Sequence, residues 1–383
     1  MTERAEVAIV GAGVVGLSVA FQLARLGARD VLLVEKEALP GTGSTSKANG
    51  GIRAQFTTDV NVAMSVASMD ILDALAGEIG EPPMYRKAGY LFLTSDATRF
   101  AAMQKAAAFQ RARGVSVEVL DGDGVRARAP YASGEIAGGT FGERDGFIDP
   151  GGLANFFLRE AARGGVRVLY GAPVTGASRT GAGFRLATTK GDVEAAAVVL
   201  AAGPWTGRVA SLFGVEVPVE PVRRHIFVSG PCTDLAPVIP MTIDADSGIL
   251  VRREGRGVAI AWSNADEPAG FNTAFDPDFA LRFAVPLEAR FPSVAAAGLD
   301  LRKSWAGLYE VTPDHHAIVG PAASVPGLYV ASGFSGHGVM HAPAAGRAIA
   351  EMILSGLSAS VDVSPLSLER FARGALIHET MVL

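Results

Sequence analysis

The chain has 383 residues, long enough for two domains or one large intertwined unit. Hydrophobic residues make up 49% and charged residues 19%, a core-forming composition that excludes a disordered chain. The 34 basic and 39 acidic residues leave a net charge of −5 without a long run of either sign, which argues against a nucleic-acid partner.

The first informative stretch is EVAIVGAGVVGLSVAFQLARLGARDVLLVEKE, residues 6–37. VAIV reads as a buried strand, LSVAFQLARLG as a helix stopped by Gly27, and VLLVE as a second strand ending on Glu35. Gly11, Gly13 and Gly16 form GxGxxG at the strand-to-helix junction. Gly11 allows a tight turn, Gly13 lets a pyrophosphate approach backbone, and Gly16 lets helix and strand pack closely. Glu35, 19 residues after Gly16, is placed to accept hydrogen bonds from ribose hydroxyls. Strand, glycines, helix, strand and acid stand in order, so a dinucleotide is expected here.

Further along, GYLFLT (89–94) reads as a strand, RFAAMQKAAAFQRARG (99–114) as a helix, and PGGLANFFLREAARGG (150–165) as a helix with a Pro-Gly start and a Gly-Gly stop. TGAGF (180–184) has the look of a hairpin turn, and GILVRR–EGRG–VAIAW (248–262) of a hairpin. An apolar strand in DVEAAAVVLAAGPWTG (192–207) runs into Ala-Ala-Gly-Pro-Trp. Near the C-terminus, GLYVA (327–331) precedes SGFSGHGVMHAP (332–343) and the helical AAGRAIAEMI. Gly333, Gly336 and Gly338 at one strand-to-helix junction suggest backbone N–H groups brought close to a flat or charged group. Flavoproteins with an N-terminal dinucleotide fold commonly carry both of these last features, and no second GxGxxG for a nicotinamide is present. FAD, reduced by the substrate, is therefore expected rather than NAD.

Six motifs carry a resemblance to a known family: VAIVGAGVVGLSVAFQLA (7–24), GSTSKANGGIRAQF (43–56), DGFIDPGGL (145–153), VVLAAGPWT (198–206), WAGLYEVTPDHHAIVG (305–320) and GLYVASGFSGHGVMHAP (327–343). In this order the chain resembles the D-amino-acid-oxidase superfamily of FAD enzymes, in the branch of sarcosine oxidase, proline dehydrogenase β subunit and glycine oxidase. The resemblance implies an α/β fold, a Rossmann-like FAD-binding domain interleaved with a second, mixed-β-sheet substrate domain. It also implies oxidation of a C–N bond in a small, secondary or N-substituted amino acid. Cofactor contacts are expected at Gly11, Ala12, Gly13, Val15, Gly16, Glu35, Lys36, Ser44, Thr45, Ser46, Gly50, Gly51, Ile52, Val174, Ala202, Gly203, Trp205, Gly307, Gly333, Gly336, His337, Gly338, Val339 and Met340. Arg53 matches the family's carboxylate-binding arginine and Tyr309 its pocket tyrosine. His225 and His337 complete the catalytic candidates, with Arg252 on an inferred roof strand.

Departures from the family pattern shape further expectations. Gly307 stands where a covalent cysteine would be, so FAD should be held without a covalent bond. Met340 replaces a carboxylate-binding lysine, while Ala259 and Leu250 fall near an oxygen-activating lysine and a pocket tyrosine. The electron acceptor, O2 or another carrier, stays open, as does oligomeric state, homo- or hetero-oligomeric. A 2-hydroxy acid dehydrogenase with a histidine base and a non-catalytic assembly subunit are the alternatives.

The FAD-binding domain is expected at 1–82, 145–215 and 315–358, the substrate domain at 83–144 and 216–314, and a surface extension from 359 to 383. No metal is expected, since His337 precedes its helix and adjacent His315 and His316 would point apart on a continuing strand. No apolar run approaches a membrane span, MTERAEVAIVGAG lacks a signal-peptide pattern, and the lone Cys232 fits a reducing compartment. The expected setting is the cytoplasm.

Overall fold

A computed structural model of the chain describes residues 2–79, 85–181, 183–264 and 266–379. The expected domain break at 82/83 lies outside the described residues. The apolar run ERAEVAIV becomes the strand Glu3–Val10, which lies parallel between Val31–Val34 and Gly191–Leu200. Arg167–Leu169 extends this sheet beyond Val31–Val34, and Leu328–Ser332 runs parallel to the end of Gly191–Leu200. Strands of a parallel sheet bury both faces, which is why these segments are near-continuously apolar. Their carboxyl ends share one edge, the place where open α/β sheets bind ligands.

Helices Val14–Arg25, Pro150–Arg163 and Gly338–Ser355 share one core with this sheet. Phe21 stacks on Phe157 at 5.2 Å, joining the first two. The last helix comes so close to the first that a Cβ on Gly346 would lie 2.3 Å from Ser18 Oγ.

A second eight-stranded sheet draws strands from both sequence inserts. Its order is Trp305–Val311, Glu220–Val228, Gly257–Trp262, Ile249–Glu254, Met241–Asp244, Tyr90–Thr94, Gly138–Gly142 and Val117–Asp121. Only the pairing of Met241–Asp244 with Tyr90–Thr94 is parallel, so this sheet is mixed. Period-2 alternation splits it into two faces. Tyr90, Phe92, Met241, Ile243 and Leu250 cluster on one face, called here the inner face, while Leu91, Leu93, Phe227, Ile249, Val251 and Ile260 face a separate core on the other. The fold is α/β, a Rossmann-like unit interleaved with this mixed sheet.

Two local expectations change. The strand through Glu310 ends at Val311, and His315 sits at φ 58° in a turn before Ile318–Pro321, so the two histidines do not alternate along a strand. The tail beyond 358, expected as a surface extension, is docked on the fold. Val361, Val363 and Leu366 join the main core, and Arg370 forms a buried pair with Asp314 at 2.7 Å. Among the described residues, no helix is long and apolar enough to cross a membrane.

Candidate functional site

The glycines of the first turn divide their work as sterics requires. Gly11 has φ +110°, and a Cβ there would lie 2.4 Å from the Ala201 carbonyl oxygen. At Gly16 it would lie 2.0 Å from the Gly11 carbonyl oxygen, so this glycine sets helix-to-strand packing. Gly13 is different: a Cβ would meet only Thr45 Oγ1, at 3.4 Å, which leaves the space in front of it open. The Val14 N–H donates to Thr45 Oγ1 at 3.0 Å, tying the 43–56 segment to the helix start. Glu35, expected to face a ribose, also has a structural role. Its carboxylate accepts the Ala12 N–H at 2.6 Å and the Glu37 N–H at 2.8 Å, and so braces the turn itself.

The other sequence candidates gather on the same edge. Val174 opens a strand just after Ala172, whose N–H donates to the Glu35 carbonyl at 2.8 Å. Ala202, Gly203 and Trp205 follow the end of Gly191–Leu200, and Lys36 lies 4.2 Å above the Trp205 ring. Gly333 and Gly336 adopt φ +75° and +99° after Leu328–Ser332. The Gly338, Val339 and Met340 N–H groups occupy the first turn of the last helix, whose preceding turns cannot accept from them. A positive helix end and free amides suit the electron-rich edge of a flavin. An open space at Gly13, a brace at Glu35 and a helix N-terminus at Gly338 together accommodate a dinucleotide with a flat head group.

The 43–56 segment crosses from this edge to the inner face of the mixed sheet. Ser44 Oγ donates to the Leu308 carbonyl at 2.7 Å, and Ser46 Oγ to the Thr42 and Gly43 carbonyls at 3.2 Å. Lys47 packs on Gly307, where a Cβ would fall 2.5 Å from the lysine Cβ. Gly50, at φ +76°, abuts Ile148, and a Cβ on Gly51 would lie 3.0 Å from Met241 Sδ. Ile52 is fully buried.

Arg53 comes next, 1% exposed, its guanidinium carbon 3.8 Å from the Phe56 ring centroid and 5.4 Å from that of Phe92. Nη1 donates to the Gln55 carbonyl. Burial draws its pKa below the ordinary guanidinium value, opposed by Tyr90, Glu379 and Asp145. The segment is held from below by buried Asp145, which accepts the Ala54 N–H at 3.0 Å and the Gln55 side-chain amide at 2.9 Å. Burial raises the Asp145 carboxyl to about 6.

Tyr309 faces Gly336 across the gap between the sheets; a Cβ on Gly336 would lie 2.5 Å from the tyrosine ring. Burial raises its phenol pKa. His337 caps the last helix and packs edge-on against Phe56 at 5.1 Å, with His341 5.9 Å away. Burial and the Arg53 charge keep both rings neutral, His341 near a pKa of about 3. His225 is elsewhere. It points to the far face of the mixed sheet, stacked on Phe279 at 4.5 Å and accepting the Asp276 N–H at Nε2. Arg252 is on the inner face but committed, its Nε donating to Asn49 Oδ1 at 2.6 Å and its Nη1 to Glu254.

Sequence reasoning passed over Asp145 and Tyr90, although both stood in segments it had singled out. Their importance rests on contacts with Arg53 and its neighbours that the spacing of residues does not show. Glu379 was also missed: it accepts from the Thr57 N–H at 2.9 Å and the Thr58 hydroxyl at 3.0 Å, beside the 51–56 segment.

With this geometry in place, comparison with known proteins is decisive for the family. The family model described as FAD dependent oxidoreductase (DAO) matches residues 6–352. FAD-dependent oxidoreductase domain-containing protein 1 of Bos taurus is 33% identical, over 100% of this chain and 87% of that protein. Mitochondrial dimethylglycine dehydrogenase of Mus musculus is 26% identical, with 92% of this chain matched to 43% of that protein. Among solved structures, L-proline dehydrogenase from P. horikoshii superposes with a TM-score of 0.92 at 26% identity, covering 98% of this chain and 100% of that one. The chain belongs to the DAO family of FAD-dependent oxidoreductases.

Proposed function

We propose that the enzyme oxidises the C–N bond of a small secondary or N-substituted amino acid, with Arg53 holding the substrate carboxylate. The observation that carries this reading is a buried guanidinium beside Tyr90 and Phe92, under the inner face of the mixed sheet. Similarity to dimethylglycine dehydrogenase and L-proline dehydrogenase, both named for secondary or tertiary amino acids, supports the substrate class. FAD, when bound, supplies the two-electron acceptor.

The chain's own residues supply the rest. A guanidinium offers a two-pronged site that fixes the carboxylate and hence the α-carbon. Tyr309 and Tyr90 would flank the bound substrate, and Met241 and Leu250, packed with Tyr90, give that face an apolar character. An ammonium is disfavoured beside a buried cation, so the amine binds in its neutral form, with its nitrogen lone pair available. His337 and His341, held neutral, add no competing charge. The oxidised substrate is an imine, which water cleaves to a carbonyl compound and an amine. Cofactor attachment is proposed to be non-covalent, because Gly307 stands where the resemblance puts a linking cysteine and the chain's one cysteine, Cys232, is buried in the far core of the mixed sheet.

The 2-hydroxy acid alternative asks for a histidine base at the substrate. His225 lies on the opposite face of the sheet, which leaves His337, held neutral on Phe56 close to Arg53, as the base that reading would need. Anaerobic mixing of the FAD-loaded enzyme with a panel of N-methyl and cyclic amino acids, primary amino acids and 2-hydroxy acids tests the proposal. Bleaching of the flavin by a secondary amino acid is expected; bleaching by hydroxy acids alone, or by none of the panel, would overturn it.

A further inference from the structure

Arg224 lies on the Glu220–Val228 strand, in register with Gly307 and two residues from the Val222–Tyr309 pair. Opposed residues of an antiparallel pair share a face. Arg224 therefore stands with Tyr309, its guanidinium carbon 5.4 Å from the tyrosine ring centroid. Its setting differs from that of other arginines removed from solvent. Arg290 has Asp244, Arg370 has Asp314, and the adjacent Arg223 takes Glu267 at 2.7 Å. Arg224 instead donates from Nη1 to the Arg223 carbonyl at 3.0 Å, and its Nε is buried without an acceptor. No carboxylate among the described residues forms an ion pair with it. Arg224 is half-buried, and a guanidinium partly desolvated without an anion carries an uncompensated cost, which an arriving carboxylate relieves.

We propose that Arg224 binds a second anionic group of the substrate, so that the preferred substrate is an N-substituted amino acid with a carboxylate at each end. The proposal rests on Arg53 as the first anchor. Tyr90 hydrogen-bonds Arg53 and feels the charge of Tyr309, and Tyr309 lies beside Arg224, so the two tyrosines link the two cations. A substrate lying along these two rings has its amine between them and one acid at either end. Glu267, the nearest competing carboxylate, is occupied by Arg223. In such a site, a monocarboxylic amine leaves Arg224 unmatched and binds more weakly.

Unreactive thioether analogues separate the two anchors, because sulfur replaces the nitrogen that would be oxidised. The FAD-loaded enzyme is titrated with methylthioacetate and with diacids carrying one, two or three methylenes between sulfur and the second carboxylate. Binding is read calorimetrically and from the flavin spectrum. One diacid should bind on the order of tenfold or more tightly than the monoacid. Arg224→Gln should erase that preference with FAD content unchanged, and Arg224→Lys should retain part of it. Arg53→Met should weaken monoacid and diacid alike and preserve their ratio. A wild-type enzyme with no diacid preference, or an Arg224→Gln variant that keeps it, would overturn the proposal. Monoacid affinity untouched by Arg53→Met would sink the first-anchor reading alone, and the diacid ratio would still decide for or against Arg224.

Discussion

The edge of the parallel sheet and the inner face of the mixed sheet approach the same space with opposite means. At the edge, the groups offered to a ligand are mostly backbone: an open Gly13 and the amide end of the last helix, with the Glu35 carboxylate bracing the turn. On the inner face the proposed binding groups are side chains: Arg53, Tyr90, Tyr309 and Arg224, brought together from segments far apart in sequence. Backbone recognition suits a ligand common to a whole family, whereas side chains can change with the substrate. The first region should therefore fail abruptly when a glycine is altered, and the second should change selectivity while the cofactor stays bound.

The sharpest break lies within one turn. Gly13→Val should fold and be isolated without FAD, since its side chain enters only the open space before Thr45. Gly16→Val should not fold, because its Cβ would sit 2.0 Å from the Gly11 carbonyl oxygen. Visible absorbance per protein and circular dichroism separate the outcomes; full FAD content in Gly13→Val would refute the role given to that space.

A second break concerns how the tail supports the inner region. Arg370 makes two hydrogen bonds to Asp314, at 2.7 and 2.9 Å, and a third to the His316 carbonyl. Removing one partner of such a buried pair costs on the order of 3–5 kcal/mol. Arg370→Met should lose about that much in urea unfolding. A loss within error would show that the tail is not fastened there.

How much of this was legible beforehand follows the same division. Gly11, Gly13, Gly16 and Glu35 lie within one βαβ unit, where sequence order is spatial order, and their spacing reads directly. The inner face was legible only as strands. Which side of the sheet His225 and Arg224 take depends on register, and a shift of one residue would exchange them. His225 reached the catalytic candidates on its chemistry and belongs to the far core; Arg224, its neighbour, was passed over. How firmly the tail is fastened was not legible, because its tether, Asp314, is 56 residues away from Arg370.

A smaller effect sharpens the account of the Arg53 segment. Burial raises Asp145 from its ordinary 3.8 to about 6. Between those values the unfolded chain has released the proton and the folded protein still holds it, so stability falls as pH rises from 4 to 6. The full swing is about 3 kcal/mol. Asp145→Asn should remove this part of the pH dependence, measured as the wild-type minus variant difference in unfolding free energy. A difference that is flat across the window would mean that Asp145 titrates normally.

The most direct test of the central claim, an amino acid held by its carboxylate at Arg53, compares a substrate with its carboxamide analogue in wild type and Arg53→Met. Loss of a buried charge-assisted pair costs on the order of 2–5 kcal/mol, or roughly two to three powers of ten in affinity. Wild type should discriminate steeply against the amide. The variant, with normal FAD content, should bind acid and amide almost equally. If Arg53→Met kept the wild-type preference for the acid, the carboxylate would be held elsewhere and the account would be contradicted.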